Sequence, residues 1–322
     1  MEKRAIIADL GGGVHRVTQP LPWALDHIHC YAVADPDGWT IFDAGLGTPG
    51  TTARWRTAYA ELGSPKVRRV VATHYHPDHN GATAALMEVT GADEFVQGRR
   101  DHELTFSGFL DPDGPPRFEQ HLIAMGMPPA EASSSAVDEA DTPYHPADPD
   151  VLLDEGDVLE LQGEPFDVYH LPGHAEGHVV FVGRTSGRMF GGDTILNEIS
   201  PNVGLWGEGD SKDPLAEFAN SLRRIRDEFR PRLIYPGHRT TIEDAGARAD
   251  ELLAHHELRL AECVAGLADG AETPYELAQH LWGSRLDYHQ RRFAMVEGAA
   301  HLVRLVALGR AREVAPFRFA AV

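Results

Sequence analysis

Cysteine is nearly missing: two residues in 322, Cys30 and Cys263, far apart along the chain. That excludes a disulfide framework and a cysteine metal cluster, so any metal must be held by histidine and carboxylate. Long apolar runs are missing too. No stretch approaches the roughly 18 residues of a membrane span, and the 42% hydrophobic and 24% charged residues are ordinary for a globular, soluble chain. The opening MEKRAIIADLGGGVHRV has no sustained apolar segment and no small-residue cleavage site, which makes the cytoplasm the expected location. Positive charge is scarce. With 29 Lys and Arg against 49 Asp and Glu, the net charge of −20 disfavours non-specific contact with nucleic acid or an anionic membrane. The deficit is local: Asp111 to Asp157 holds twelve acids and one base, Arg117, whereas Ala245 to Val322 is near balance at ten and nine. No internal repeat is visible.

What is present alternates strand and helix signals. HIHCYAVAD and WTIFDAG read as a hairpin across Pro36-Asp37-Gly38, TTARWRTAYAEL as a helix, and VRRVVAT as a buried strand. NGATAALMEVTGA is helical in spacing and EFVQG is a short strand. From Arg99 to Asp150 the chain becomes rich in Pro, Asp, Gly and Ser and reads as an insertion or lid. RFEQHLIAMGM forms a helix within it, and Phe106, Phe109, Leu110, Phe118, Met125 and Met127 are placed to cover an apolar ligand. Strands resume at VLLD, PFDVYHL, HVVFVG and RMFGG, followed by a helix PLAEFANSLRRIRDEF and a strand RLIYPGH.

The alternation ends near residue 244. A long helix through Ala268, TPYELAQHLWG opened by a Thr273/Glu276 capping box, a third helix in RRFAMVEGAAHLVRLVALG and a strand pair in REVAPFRFAAV suggest a small winged-helix-like domain over 245–322. Leu277, Leu281, Leu302, Leu305 and Leu308 are its expected core. These helices would either pack a homodimer or close a cleft. Residues 1–244 are then the catalytic domain.

Six residues concentrate the chemistry: His74-Tyr75-His76-Pro77-Asp78-His79. A loop leaving a buried strand can turn His74 and His76 one way and Asp78 and His79 the other, giving two half-built sites side by side. Neutral imidazole and carboxylate bind zinc at roughly 2.0–2.2 Å, and four donors, or three and a water, complete a site. His174 in PGHAEGH, Asp193 ending RMFGGD and His238 ending RLIYPGH lie at further strand ends, with Gly173 letting the backbone bend closely around an ion. Seven other histidines are left out of the set: His178, His170 and His102 read as bonded to neighbours, His27 and His29 alternate along one strand face, placed to line the cleft, and His255 and His256 read as lying on an exposed helix.

HxHxDH followed by Gly-His, Gly-Asp and Pro-Gly-His, in this order, resembles the metallo-β-lactamase superfamily over about Gly13 to Asp244. The resemblance implies an α/β fold, a four-layer αββα sandwich with metals at the edge where two sheets meet. It also implies that His74, His76 and His174 bind one ion, Asp78, His79 and His238 a second, and that Asp193 bridges. Two divalent ions per chain are expected, zinc first, with iron or manganese also suited to these donors. The expected activity is hydrolysis of a small ester, thioester or lactone by a metal-bridging hydroxide, with Asp78 orienting it or passing a proton to the leaving group. The GHxxGH pattern resembles glyoxalase II, but that family's glutathione-binding C-terminal region has no counterpart here. A β-lactamase-like core with a winged-helix-like tail resembles a group that includes an endoribonuclease, so single-strand RNA cleavage is one alternative. An iron-dependent oxidoreductase on the same scaffold is another, and a metal-stabilised, DNA-binding sensor is a third.

Overall fold

The computed structural model describes residues 6–207, 211–283 and 286–322. Seven strands form the first sheet in sequence order: β1 (Ile6–Asp9), β2 (Val14–Pro20), β3 (His27–Val33), β4 (Trp39–Phe42), β5 (Val67–Val71), β6 (Glu94–Gly98) and β7 (Val151–Leu153). It is antiparallel as far as β4 and parallel from β4 to β7. Parallel neighbours need a crossover. α1 (Pro49–Glu61) supplies the first, and α2 (Pro77–Asn80) with α3 (Thr83–Thr90) the second. The second sheet runs in the order β12 (Leu233–Pro236), β11 (Arg188–Gly192), β10 (Val179–Gly183), β9 (Glu164–His170) and β8 (Val158–Leu161). Its one parallel pair, β11 with β12, is joined through α7 (Pro214–Arg224) and a following π turn, Ile225–Phe229.

Alternation decides which face of each strand is covered. Phe166 and Val168 of β9 point between the sheets with Phe181, Phe190, Val33, Phe42 and Val71. Phe42 stacks on Phe190 with ring centroids 4.1 Å apart, across the inter-sheet gap. On the outer face of the first sheet, Ile41, Val70 and Phe95 pack against Trp55 of α1 and Leu86 of α3. On the outer face of the second, Val180, Met189 and Ile234 meet Leu215, Phe218 and Leu222 of α7. The four-layer αββα arrangement expected from the sequence is the one observed.

The chain closes with α8 (Ala245–Ala268), α9 (Pro274–Trp282), α10 (Tyr288–Ala307) and a hairpin of β13 (Ala311–Ala315) with β14 (Arg318–Ala321). The capping box is present: Thr273 Oγ1 accepts from the Glu276 amide and Glu276 Oε2 from the Thr273 amide. Leu277, Leu302 and Leu305 are buried in the core that also covers the second sheet, with Leu281 packed at its margin. Leu308 is exposed instead, because the helix ends at Ala307 and leaves it on the C-cap.

The 99–150 segment is more regular than its composition suggests. It holds α4 (Arg99–Thr105) running into a π turn at Phe106–Leu110, then α5 (Gly114–Ala124) and α6 (Pro129–Ala140). Leu122, Met125, Met127 and Ala132 pack on Ala278, Met295, Val296 and Ala299 of α9 and α10. Met125 and Met127 therefore fill this helix–helix core rather than a ligand site, and Phe106 and Leu110 face outward. Among the described residues no helix is long and apolar enough to cross a membrane.

Candidate metal centre

The donors arrive on strand ends of both sheets. Buried β5 delivers Thr73 and His74; Pro77, in the first turn of α2, sets the backbone so that Asp78 and His79 follow inside one helical turn. His174 follows β9, Asp193 follows β11 and His238 follows β12. All seven sequence-selected residues come together. One donor atom from each of His74, His76 and His174 lies within 4.8 Å of the others, as do those of Asp78, His79 and His238, and those of His74, His79 and Asp193.

Several separations are those of coordination-shell edges. Two nitrogens about 2.0 Å from one tetrahedral ion stand about 3.3 Å apart. His74 Nε2 and His76 Nδ1 are 3.0 Å apart, and His238 Nε2 is 3.3 Å from Asp78 Oδ2. Asp193 lies between the groups: Oδ2 is 3.2 Å from His238 Nε2 and 3.7 Å from His174 Nε2, and Oδ1 is 3.4 Å from His79 Nε2.

The outer side of four of the five imidazoles is occupied. His79 Nδ1 donates to Asp43 Oδ2 at 2.8 Å, His174 Nδ1 to the Asn202 carbonyl at 2.8 Å and His238 Nδ1 to the His27 carbonyl at 2.6 Å. His74 Nδ1 sits 3.1 Å from Thr73 Oγ1. Such contacts fix the tautomer and aim Nε2 inward. Inward, nothing in the protein satisfies several atoms: Nε2 of His79, His174 and His238 and Oδ1 of Asp193 are buried without a hydrogen-bond partner. Buried polar atoms are seldom left so. Four of them converging on one focus, with nitrogen and carboxylate donors only, fit divalent cations.

Electrostatics agree. Burial, with neighbouring imidazoles, drives His74 well below its usual pKa, and burial and then His174 take His76 down to about 3. Although burial opposes it, His238 and His79 hold the Asp193 carboxyl well below its ordinary range. Against the same burial, Asp193 and Asp78 raise His238 to about 9. Protons on imidazole stand in for a cation here, and neutral imidazoles beside ionised carboxylates are the states that bind metal.

Histidines excluded from the site mostly have other duties. His178 is buried, accepting from the Asp193 amide at 3.0 Å and bonding Thr194 Oγ1 at 3.0 Å. His29 bridges Thr18 and the Arg239 carbonyl. His170 bonds the Glu176 carbonyl. His256 departs from expectation: it is buried, not exposed, and bonds His301 and Ser200. Gly173 has a packing role as well. Its φ is +132° and a Cβ there would lie 2.4 Å from Phe218 Cα, so the missing side chain lets the loop touch α7. Residues the sequence did not single out include Asp43, Asn202 and Asp101, the last buried and accepting from the Tyr75 amide at 2.9 Å. Asp43 had one signal, the strand-ending FDAG, where its φ is +60°.

The centre opens onto a cavity of about 1430 Å³. His76, Asp78, His174 and Asp193 form part of its wall, and Trp23, Phe109, Phe118, Trp206 and Phe293 form apolar parts of the rest. The insertion and the C-terminal helices both contribute.

The chain belongs to the metallo-β-lactamase superfamily: the model of that family matches residues 23–238, and a model described as the metallo-β-lactamase-like C-terminal domain matches 260–320. Among similar proteins, the probable metallo-hydrolase YqjP of Bacillus subtilis (strain 168) is 28% identical over 297 residues, 88% of this chain and 89% of that one. An atrochrysone carboxyl ACP thioesterase of Aspergillus fumigatus is 23% identical over 258 residues, covering 76% of this chain but 64% of the thioesterase, under two thirds of its length. The crystal structure of a metallo-β-lactamase family protein from Thermus thermophilus superposes with a TM-score of 0.84 at 29% identity, covering 98% of this chain and all of that one.

Proposed function

We propose that this metal-dependent hydrolase cleaves acyl thioesters whose acyl part is bulky and apolar, using two divalent ions, zinc first, held by His74, His76 and His174, by Asp78, His79 and His238, and by Asp193 between them. The observation that carries the reading is the donor focus opening directly into an aromatic-walled cavity of about 1430 Å³. Ordinary ligand pockets hold roughly 300–1,000 Å³, so a small acetyl-sized group would leave this one largely unfilled. The similarity to a protein named as an acyl-carrier thioesterase supports the thioester among the ester, thioester and lactone candidates. In this reading residues 1–244 are the catalytic unit, and 245–322 complete the cavity.

Bound ions would supply a water of lowered pKa and a polarised carbonyl oxygen. The protein's own groups do the rest. Trp23, Phe109 and Phe118 bury the acyl group and exclude bulk water, leaving the carbonyl near His76, Asp78 and His174. Hydrolysis adds water oxygen to the carbonyl carbon and breaks the carbon–sulfur bond. Asp78, ionised because His79 and His238 outweigh its burial, takes the proton of the attacking water and delivers it to the leaving thiolate.

Metal analysis should return about two ions per chain, and Asp193→Ala should lose both occupancy and turnover. Purified protein should hydrolyse long-chain or polycyclic acyl thioesters with a kcat/KM at least tenfold above acetyl thioesters, since each buried methylene adds about 0.8 kcal/mol. Cleavage of single-stranded RNA alone, or oxygen uptake with a persulfide in place of hydrolysis, would overturn the reading.

A further inference from the structure

The orientation of His174 is set differently from that of its partners. His79 is fixed by Asp43 and His238 by the His27 carbonyl, both inside the sandwich. His174 depends on the Asn202 carbonyl, carried by the loop that follows Asp193. That loop is gripped by the C-terminal helices. Arg248 of α8 donates from Nε to the Leu196 carbonyl and from Nη2 to the Ile199 carbonyl, each at 2.7 Å. His256 of α8 bonds Ser200 Oγ at 3.2 Å, and the Leu205 amide donates to the Val296 carbonyl at 3.1 Å. Asn202 itself is tethered by its side chain: Nδ2 donates to Glu297 Oε2 of α10 at 3.1 Å and lies 3.4 Å from the Phe293 carbonyl.

We infer that Glu297 is a positioning residue for His174: it holds the Asn202 side chain, and the Asn202 carbonyl in turn holds the imidazole with Nε2 facing the metal focus. The inference rests on the proposed role of His174 as a metal donor. It gives α10 a task beyond walling the cavity, since an element outside the αββα sandwich sets one of the donors. The polarity of the chain of contacts is definite. Glu297 accepts from the Asn202 side chain, and the Asn202 carbonyl accepts from His174. Removing an outer partner of a metal-binding imidazole typically weakens metal affinity 10–100-fold. Glu297 acts one link further out, so its loss belongs near the lower end, on the order of tenfold.

The test is chelator competition on the full chain without substrate, resolving the two zinc ions. Glu297→Leu and, separately, Asn202→Ala, which keeps the carbonyl but loses the tether, should each weaken one ion about tenfold and leave the other within twofold. Glu297→Gln keeps an acceptor oxygen and should restore most of the lost affinity. The Leu and Ala changes combined should be no worse than either alone, because they cut the same link. Unchanged zinc affinity in Glu297→Leu overturns the inference while leaving the metal centre intact. Equal weakening of both ions, together with a lowered melting temperature, also overturns it, since that is what general loosening of α10 would give. A wild-type chain that binds no zinc removes the metal reading itself, and the inference with it.

Discussion

A methyl group at Gly237 would stand 2.4 Å from Asp193 Oδ1 and 2.6 Å from His79 Cε1, inside the donor cluster. The backbone there cannot retreat, because the Gly237 amide donates to the Gly192 carbonyl at 2.8 Å and its carbonyl accepts from the His29 amide at 2.7 Å. Gly237→Ala should therefore displace the two side chains, reducing metal content and lowering kcat by about 10²-fold, the scale of a misplacement near 1 Å. Gly246→Ala, in the first turn of α8 with no atom closer than 3.6 Å, is the control and should be neutral or slightly stabilising. Equal activity in the two variants would show that the cluster tolerates the intrusion. The contrast also explains what could be read in advance at this scale. The convergence of all seven candidate donors was legible because each is a distinctive residue at the end of a strand-like run, and four of them share one six-residue motif. Asp43 and Asn202 were not, because a carboxylate or carbonyl that acts only by touching a distant imidazole leaves no local pattern.

Elements were legible where periodicity was strong. The bounds of α8 and the strand pair at the C-terminus follow from uninterrupted apolar spacing and the turn that divides the pair. The PAEASSSAVDEA helix, α6, was not anticipated, since alanine and serine give no stripe and its stability comes from packing on α10 through Ala132 and its neighbours. The same limit misplaced His256. Nothing in HHELRL says which imidazole turns inward, but the pairing of α8 with α10 buries His256 against His301 at 3.2 Å. Burial, then each other's proximity or that of nearby positive groups, lowers His256 to about 3, and burial lowers His301 to about 4. The unfolded imidazoles titrate near 6.5. Below that value the unfolded chain binds protons that the folded chain refuses, so stability is full above about pH 6.5 and falls on acidification toward pH 3–4. For a single such histidine the loss between pH 7 and 5 is about 2 kcal/mol. Urea unfolding in chelator should show a drop over this interval about 2 kcal/mol larger for wild type than for His256→Gln. Matching drops would mean that His256 does not remain neutral inside the fold.

Over the whole molecule, the proposed metal centre is a clip between two sheets that are already joined. His74, His76, Asp78 and His79 belong to the end of the seven-stranded sheet, and His174, Asp193 and His238 to the five-stranded one. Between them Phe42, Phe181 and Phe190 form an apolar interface that needs no ion. The fold should therefore survive metal removal, unlike a small zinc domain in which binding and folding are one event. What removal should cost is the linkage term. An ion at 100 times its dissociation constant stabilises the folded state by about 2.7 kcal/mol, which in a chain of this size corresponds to a melting shift of several degrees. Differential scanning of the metal-free protein should thus show one cooperative transition that climbs as zinc is added back. Asp193→Ala, lacking the group proposed to join both halves of the centre, should start from a lower metal-free value, because the carboxylate 3.2 Å from His238 Nε2 that pairs with its imidazole is gone, and should respond little to zinc. A metal-free chain with no cooperative transition would mean instead that the aromatic interface cannot hold the sheets together, and that the cations are part of the core.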